Sequence, residues 1–368
     1  MTGPDGRATS TGVPPRDDVA LMEGYHSPQL DVAVRLNANE APEAPPEGFA
    51  ARAAELVRSL SFNRYPDRQA TALRERLAAE HGLDPAQVFC ANGSNEVLQC
   101  LLLAYGGHGR SVAVFEPTYA LHRHIAVVTG TGVLAGERDG DYFIGAGELD
   151  RVLAEGAALG PHSPVVTFVC SPNNPTGRLE PADRLEAVLG AAPGLVVVDE
   201  AYGQFAPRSA VELFSTHPRL VVVRTFSKTW SLAGMRLGYA LAAPDVVRAL
   251  EAVALPYHLD AAKQALGCLA LDYEAEMSAR VARLVAERER LVAALAGLGA
   301  SVVPSDANFV LFTMPGHDAK ALWRGLVEAS VLVRDVSSWP RLTGYLRVTV
   351  GTPAEDDAFL GALASLCG

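Results

Sequence analysis

The chain has 368 residues, 49% apolar and 20% charged, with 31 Lys and Arg against 42 Asp and Glu and a net charge of −11. That balance disfavours non-specific binding to nucleic acid or to an anionic membrane, both of which need basic surface. The five cysteines (Cys90, Cys100, Cys170, Cys268, Cys367) are scattered and form no C-x-x-C pair, so neither a disulfide frame nor a zinc site is expected, and a reduced, cytoplasmic setting is.

No apolar run approaches the ~20 residues of a membrane span. Residues 1–20, rich in Gly, Pro and Thr, read as a disordered tail without the apolar stretch of a signal peptide. Residues 21–61 form an N-terminal segment. Around 36–46 it is extended and rich in Pro and Asn, so it is expected to pack on a smaller domain or to bridge to a neighbour. From residue 62 to 255 short β-branched runs alternate with helical periodicities. The run "VFCANGSNEVLQCLLLAYG" passes from a strand through a small polar turn into a helix. "SVAVFEP", "PVVTFVC", "GLVVVDE" and "LVVVRTF" are continuous apolar runs of strand length, the pattern of parallel strands covered on both faces. "ADRLEAVLGAA" between them carries helical spacing. An α/β domain with a mainly parallel sheet follows. Residues 256–368 change character: a long amphipathic helix pattern over 278–299, the short strands "ANFVLFT" and "YLRVTVG", and a final helix predict a smaller α+β domain.

Ligands of open α/β sheets collect beyond the carboxyl ends of the strands. "GLVVVDEAY" ends in Asp199, with Tyr202 three residues on; "LVVVRTFSK" ends in Thr225, Ser227 and Lys228; "PVVTFVCSPNNPTG" ends in Asn173 and Asn174; and Gly93, Ser94 and Asn95 open a helix. Taken singly, each has a plainer explanation. An Asp after a strand caps helices, Asn, Pro and Gly make turns, small residues begin helices, and a lysine at a strand exit is solvated. One arrangement accounts for all of them together. An amine that attacks an aldehyde must be partly neutral, which burial and the charge of Arg236 would favour. Arg236 and a helix N-terminus suit a phosphate, and an aspartate opposite a pyridine nitrogen keeps that nitrogen protonated. These are the parts of a pyridoxal 5'-phosphate site, with Lys228 as its Schiff-base lysine.

At these residues the chain resembles the fold-type-I aminotransferases, and within them the histidinol-phosphate aminotransferase family. The matching segments include "LNANEAP", "NRYPD", "GSNE", "EPTY", "SPNNPTG", "DEAY", "RTFSKTWSLAGMRLGY", "PYHL", "ANFVLF", "VLVRD" and "YLRVTVG", and they span nearly the whole chain outside the tail. The resemblance implies a large cofactor-binding domain with a seven-stranded, mainly parallel sheet flanked by helices. It also implies a homodimer with shared active sites and small-molecule substrates. Position by position it implies that Lys228 binds the cofactor and moves the proton, that Asp199 pairs with the ring nitrogen, and that Asn174 and Tyr202 hold the ring hydroxyl. Tyr119 would stack on the ring; Gly93, Ser94, Asn95, Thr225, Ser227 and Arg236 would form the phosphate cup; and Tyr65 would reach the neighbouring subunit's cofactor. Tyr25, Asn39, Asn174, Tyr257, Arg334 and Arg347 are the substrate contacts it implies, with Arg347 as the main anion anchor and Arg334 as its partner for the distal anion. Strand alternation puts Arg347 and Thr349 on one face, and paired guanidiniums suit a phosphate and a carboxylate alike. The implied reaction is transamination between histidinol phosphate and 2-oxoglutarate. An aromatic or specialised-pathway aminotransferase, and less readily a decarboxylase on the same fold, are its alternatives. Two positions depart from the family pattern, His122 and His258. Both are expected to bear on side-chain preference and neither on the cofactor.

Overall fold

Val196, Val198, Leu220 and Val222 lie in one apolar layer, and Leu195, Val197, Val221 and Val223 in another. This alternation along two neighbouring, wholly buried strands is that of a sheet covered on both faces. The computed structural model describes residues 12–20, 22, 28–160 and 162–368. Among them twelve strands form two sheets. In chain order these are β1 (Val34–Leu36), β2 (Val88–Ala91), β3 (Ser111–Glu116), β4 (Gly132–Glu137), β5 (Val166–Cys170) and β6 (Leu195–Asp199). The rest are β7 (Leu220–Thr225), β8 (Gly238–Leu241), β9 (Ser301–Val303), β10 (Phe309–Thr313), β11 (Val331–Asp335) and β12 (Leu346–Thr349).

The large sheet has seven strands in the order β2-β8-β7-β6-β5-β3-β4. β4, β3, β5, β6 and β7 pair in parallel, and β8 runs antiparallel to both β7 and β2. β2 therefore points the same way as the parallel set, and β8 is the one reversed strand. The helices around these strands cover both faces, with Leu149, Val152, Leu185 and Val188 in one apolar layer and Leu98, Leu101, Leu121 and Ile125 in the other.

The small sheet has five strands in the order β1-β11-β12-β10-β9. β1 joins it parallel to β11, far from its own neighbours in sequence. The remaining pairs are antiparallel, and they place Arg334 directly opposite Arg347. The N-terminal segment divides between the two sheets. Residues 34–36 belong to the small one, whereas helix Phe49–Ser59 packs against helix Ala261–Leu271 on the large one. Leu259, Leu269, Leu271 and Met277 join the same apolar layer as β6 and β7, so the chain stays on the large sheet beyond residue 255. The long helix, Glu274–Gly297, then carries it to the small sheet, where Leu284, Leu291 and Leu295 lie in the core. No helix among the described residues is long and apolar enough to cross a membrane.

Candidate active site

Because β2, β3, β5, β6 and β7 point one way, their carboxyl ends share one edge of the large sheet. A cavity of about 210 Å³ opens between that edge and the small sheet. Lys228 stands on the turn that follows β7 and lines the cavity together with Asp199 at the end of β6. Its Nζ donates to the carbonyl of Ala38, 2.9 Å away. Burial, then the nearby charges of Arg347 and Arg236, pull the Lys228 amine down to about 8 against the opposing pull of Glu40. An ammonium that costs less to deprotonate is what a nucleophilic amine needs.

Asp199 is 1% exposed, and a buried carboxylate must be paired or hydrogen-bonded. One oxygen accepts the backbone N–H of Ala201 at 3.1 Å, and the other lies 3.1 Å from Nε2 of His122. The carboxylate can only accept, so the imidazole carries its proton on Nε2. His122 is fully buried, stacked on Phe168 with centroids 4.5 Å apart, and it meets Tyr119 edge-on at 5.5 Å. His122, expected to bear on side-chain preference and not on the cofactor, is placed by the fold as the side-chain partner of the acid in the cavity. His258, by contrast, lies away from the cavity: its ring meets the Cys90 carbonyl at 3.0 Å and stacks along Phe89, outside the lining.

One end of the cavity is rich in donors. Helix Ser94–Tyr105 begins there directly after β2, and Ser94 and Asn95 line the wall. Gly93 caps the helix at φ 83, where a β-carbon would lie 2.8 Å from Nη2 of Arg236. Only glycine lets the guanidinium approach the helix N-terminus so closely. Arg236 donates to Ser227 Oγ at 3.1 Å, and Thr225 Oγ1 donates to the same oxygen at 2.9 Å. Backbone N–H groups at a helix start, two hydroxyls and a guanidinium make up the donor set of a phosphate cup. Tyr119 fills the side between this cup and Asp199, its hydroxyl donating to Asn95 Oδ1 at 3.2 Å. The cavity residues therefore fit pyridoxal phosphate, with an acid at one end, an anion cup at the other and an amine between.

The opposite rim comes from the small sheet and from residues 37–39. Arg347 donates to Asn174 Oδ1 at 2.5 Å and to the Asn37 carbonyl at 2.9 Å, with its guanidinium carbon 5.1 Å from the Phe309 ring centre. Phe309 meets Tyr202 edge-on, and Nζ of Lys228 lies 5.9 Å from the centre of the Tyr202 ring. Two rings thus connect the amine of one sheet to the guanidinium of the other. Asn39 donates to the Tyr202 hydroxyl at 2.9 Å. Burial pushes that phenol well above its ordinary range, while the charge of Arg347 pulls the other way.

Ser94, Asn95, Tyr119, Asn174, Asp199, Tyr202, Thr225, Ser227, Lys228, Arg236, Asn39, Arg334 and Arg347 all line this cavity. Tyr65 and Tyr257 do not. They stack on each other at 4.5 Å on the outside, 80% and 42% exposed. Tyr25 lies outside the described residues. Asn37, Ala38, Cys170 and Ala201 also line the cavity and were not foreseen. The first two act through main-chain carbonyls, which leave no mark in a sequence. Among the described residues no cluster of His, Cys, Asp and Glu could hold a metal ion.

The family described as "Aminotransferase class I and II" matches residues 31–363. A histidinol-phosphate aminotransferase of Frankia casuarinae is 46% identical, over 96% of this chain and 90% of that protein. One from Corynebacterium diphtheriae is 43% identical, over 96% of each. Among solved structures, the chain is similar to histidinol-phosphate aminotransferase from Sinorhizobium meliloti in complex with pyridoxal-5'-phosphate. The TM-score is 0.81 and the identity 25%, over 91% of each chain.

Proposed function

We infer from two premises, that the chain belongs to the class I and II aminotransferase family and that its cavity offers two facing guanidiniums to a substrate, that it transfers an amino group between histidinol phosphate and 2-oxoglutarate. The observation that carries the choice of substrates is the register of β11 and β12. Arg334 and Arg347 are direct partners in it, so both guanidiniums leave the sheet on the same side, toward the amine of Lys228. A transaminase must accept two unlike substrates in one pocket, here a phosphate monoester and a dicarboxylate, and guanidiniums form forked bonds with either oxyanion.

The enzyme uses pyridoxal phosphate, which when bound supplies the electron sink that lets a proton leave the carbon bearing the amine. Asp199 would hold the ring nitrogen, Asn174 and Tyr202 the ring hydroxyl, and Tyr119 the ring face. Gly93, Ser94, Asn95, Thr225, Ser227 and Arg236 would hold the phosphate. Lys228 is the group that takes and returns the proton, because its Nζ faces the cavity with a lowered pKa. Arg347 and Arg334 orient the substrate, and the Asn37–Asn39 stretch closes water out along one side. We also propose a homodimer in the cytoplasm. Supporting the dimer, Tyr65 and Tyr257 stack on each other in the open, and Phe62 and Leu255, near them in sequence, are also exposed, apolar surface that a second copy would cover. Supporting the compartment, the five cysteines are all free, three of them buried.

The test is a single-turnover comparison. The cofactor-loaded protein is mixed in turn with histidinol phosphate, phenylalanine and tyrosine, and the decay of the cofactor's visible absorbance is followed. Histidinol phosphate should react with a second-order rate constant at least about tenfold above the others. Faster reaction with phenylalanine would make the chain an aromatic aminotransferase instead.

A further inference from the structure

Arg334 lies next to the end of β11, and the chain then makes a loop, residues 336–345, before β12 returns it to the cavity with Arg347. The loop is folded on itself: the N–H of Trp339 donates to the Val336 carbonyl at 2.9 Å, that of Leu342 to Trp339 at 3.1 Å, and that of Tyr345 to Leu342 at 3.0 Å. These turns bring the indole of Trp339 back over Arg334, whose guanidinium carbon is 5.8 Å from the ring centre. The indole is half-buried and packs on Leu311, Val336 and Leu342. Tyr142, carried by the large sheet's side, packs on the same buried group.

Resting on the anchor role given above to Arg334, we propose that Trp339 is a positioning residue for that guanidinium and, through it, a determinant of selectivity for substrates with a distal anion. A ring engages the face of a guanidinium, whereas an oxyanion uses its in-plane N–H edge. An aromatic support therefore fixes the plane of the fork without competing for the edge that meets the substrate. A carboxylate in the same place would cancel the charge that the substrate's phosphate has to find. Arg347 is supported in the same manner by Phe309, at 5.1 Å. The two differ in depth. Phe309 is fully buried in the small-sheet core, so replacing it would disturb packing throughout, whereas Trp339 is half-buried in a loop, where a leucine keeps part of the apolar contact.

The experiment compares Trp339→Leu, Trp339→Phe and Arg334→Ala as cofactor-loaded enzymes, with histidinol phosphate and its phosphate-free counterpart histidinol as donors. Trp339→Leu should raise KM for histidinol phosphate about tenfold, the loss of a partly desolvated cation–ring contact. KM for histidinol should move less than twofold. Trp339→Phe, which keeps a ring, should stay within about threefold of the parent. Calorimetric titration of the loaded enzyme with inorganic phosphate should show the same order of weakening. Equal rises in KM for both donors with Trp339→Leu, or no rise for either, would overturn the positioning role. If Arg334→Ala separates the two donors and Trp339→Leu does not, only Trp339 loses its role. If Arg334→Ala separates nothing, the anchor assignment under it fails as well.

Discussion

The two rims of the cavity are held by different means. On the large sheet, the working side chains lean on side chains of the same sheet and its connections: Asp199 on His122, Ser227 on Thr225 and Arg236, Tyr119 on Asn95. Across the gap, Arg347 leans on the Asn37 carbonyl, 310 positions away in sequence, and on Asn174 of the other sheet. Apart from the bonds that Lys228 makes to the Ala38 carbonyl and Tyr202 to Asn39, the first rim is held within one sheet. The second exists only while the N-terminal stretch and both sheets stay together. Changes on the large-sheet rim should therefore act on the chemical step, and changes on the other rim on substrate affinity.

The sharpest separation is expected at Lys228. Lys228→Ala removes the one amine in the cavity lining, and kcat should fall by at least about 10⁴-fold, with thermal stability retained. Borohydride reduction followed by peptide mapping should leave the cofactor on the residue-228 peptide of the parent and on none of the variant's. The parent should also show a pH signature. An ammonium cannot attack, so capture of pyridoxal phosphate by the cofactor-free protein should quicken about tenfold per pH unit below 8 and level off above it, where the amine is neutral. Capture that levels off only above pH 10 would mean that burial and the two arginines do not lower this lysine.

Arg347→Ala comes next. It removes the fork between Asn37 and Asn174, and KM should rise about a hundredfold for histidinol phosphate and for glutamate, a loss of roughly 3 kcal/mol for a buried charged anchor. The comparison of rims requires that kcat fall much less than KM rises. A variant with unchanged KM and a depressed kcat would place Arg347 with the chemistry rather than with binding.

How much of this was legible in the sequence follows the same division. The apolar runs that became β3, β5, β6 and β7 announce themselves, because strands buried on both faces need continuous β-branched residues, and their last residues mark the functional edge. The reversed strand β8 reads as apolar too, but nothing local in "GYAL" gives its direction; that comes from the connection at residues 226–237, which turns the chain back alongside β7. β1 is only three residues long and joins a sheet made by residues 301–349, so its partner was out of reach of periodicity. The Ala38 and Asn37 carbonyls belong to every residue type and carry no signal at all. His122 is different. It was visible as a departure from the family pattern, but its bond to Asp199 spans 77 positions, and only the fold shows that the two meet.

His122 gives the third prediction. Phenylalanine in its place would keep the stack on Phe168 and lose the bond to Asp199. A buried carboxylate that loses a donor is less well oriented and less favoured as an anion. His122→Phe should therefore lower kcat about tenfold and leave KM for both substrates within twofold. A shift in KM with kcat intact would put His122 among the substrate determinants, as its place in the sequence had suggested.

The smallest effect should come from Asn39, and it tests the second rim most directly. Asn39 has φ 55, a left-handed conformation that asparagine tolerates and alanine resists. Its amide donates to the Tyr202 hydroxyl at 2.9 Å and accepts from Thr349 Oγ1 at 3.1 Å, so it ties the N-terminal stretch to the large-sheet side and to β12 at once. Asn39→Gly keeps the backbone unstrained and removes only those two bonds; Asn39→Ala removes them and adds the cost of the φ angle. The glycine variant should raise KM about threefold at nearly constant kcat, since Tyr202 keeps its place against Phe309 while the stretch beside Arg347 loosens. The alanine variant should show a larger rise and a lower melting temperature. If the glycine variant instead loses kcat at constant KM, the stretch that closes over the cavity belongs with the catalytic rim, and the division between chemistry on one sheet and selection on the other does not hold.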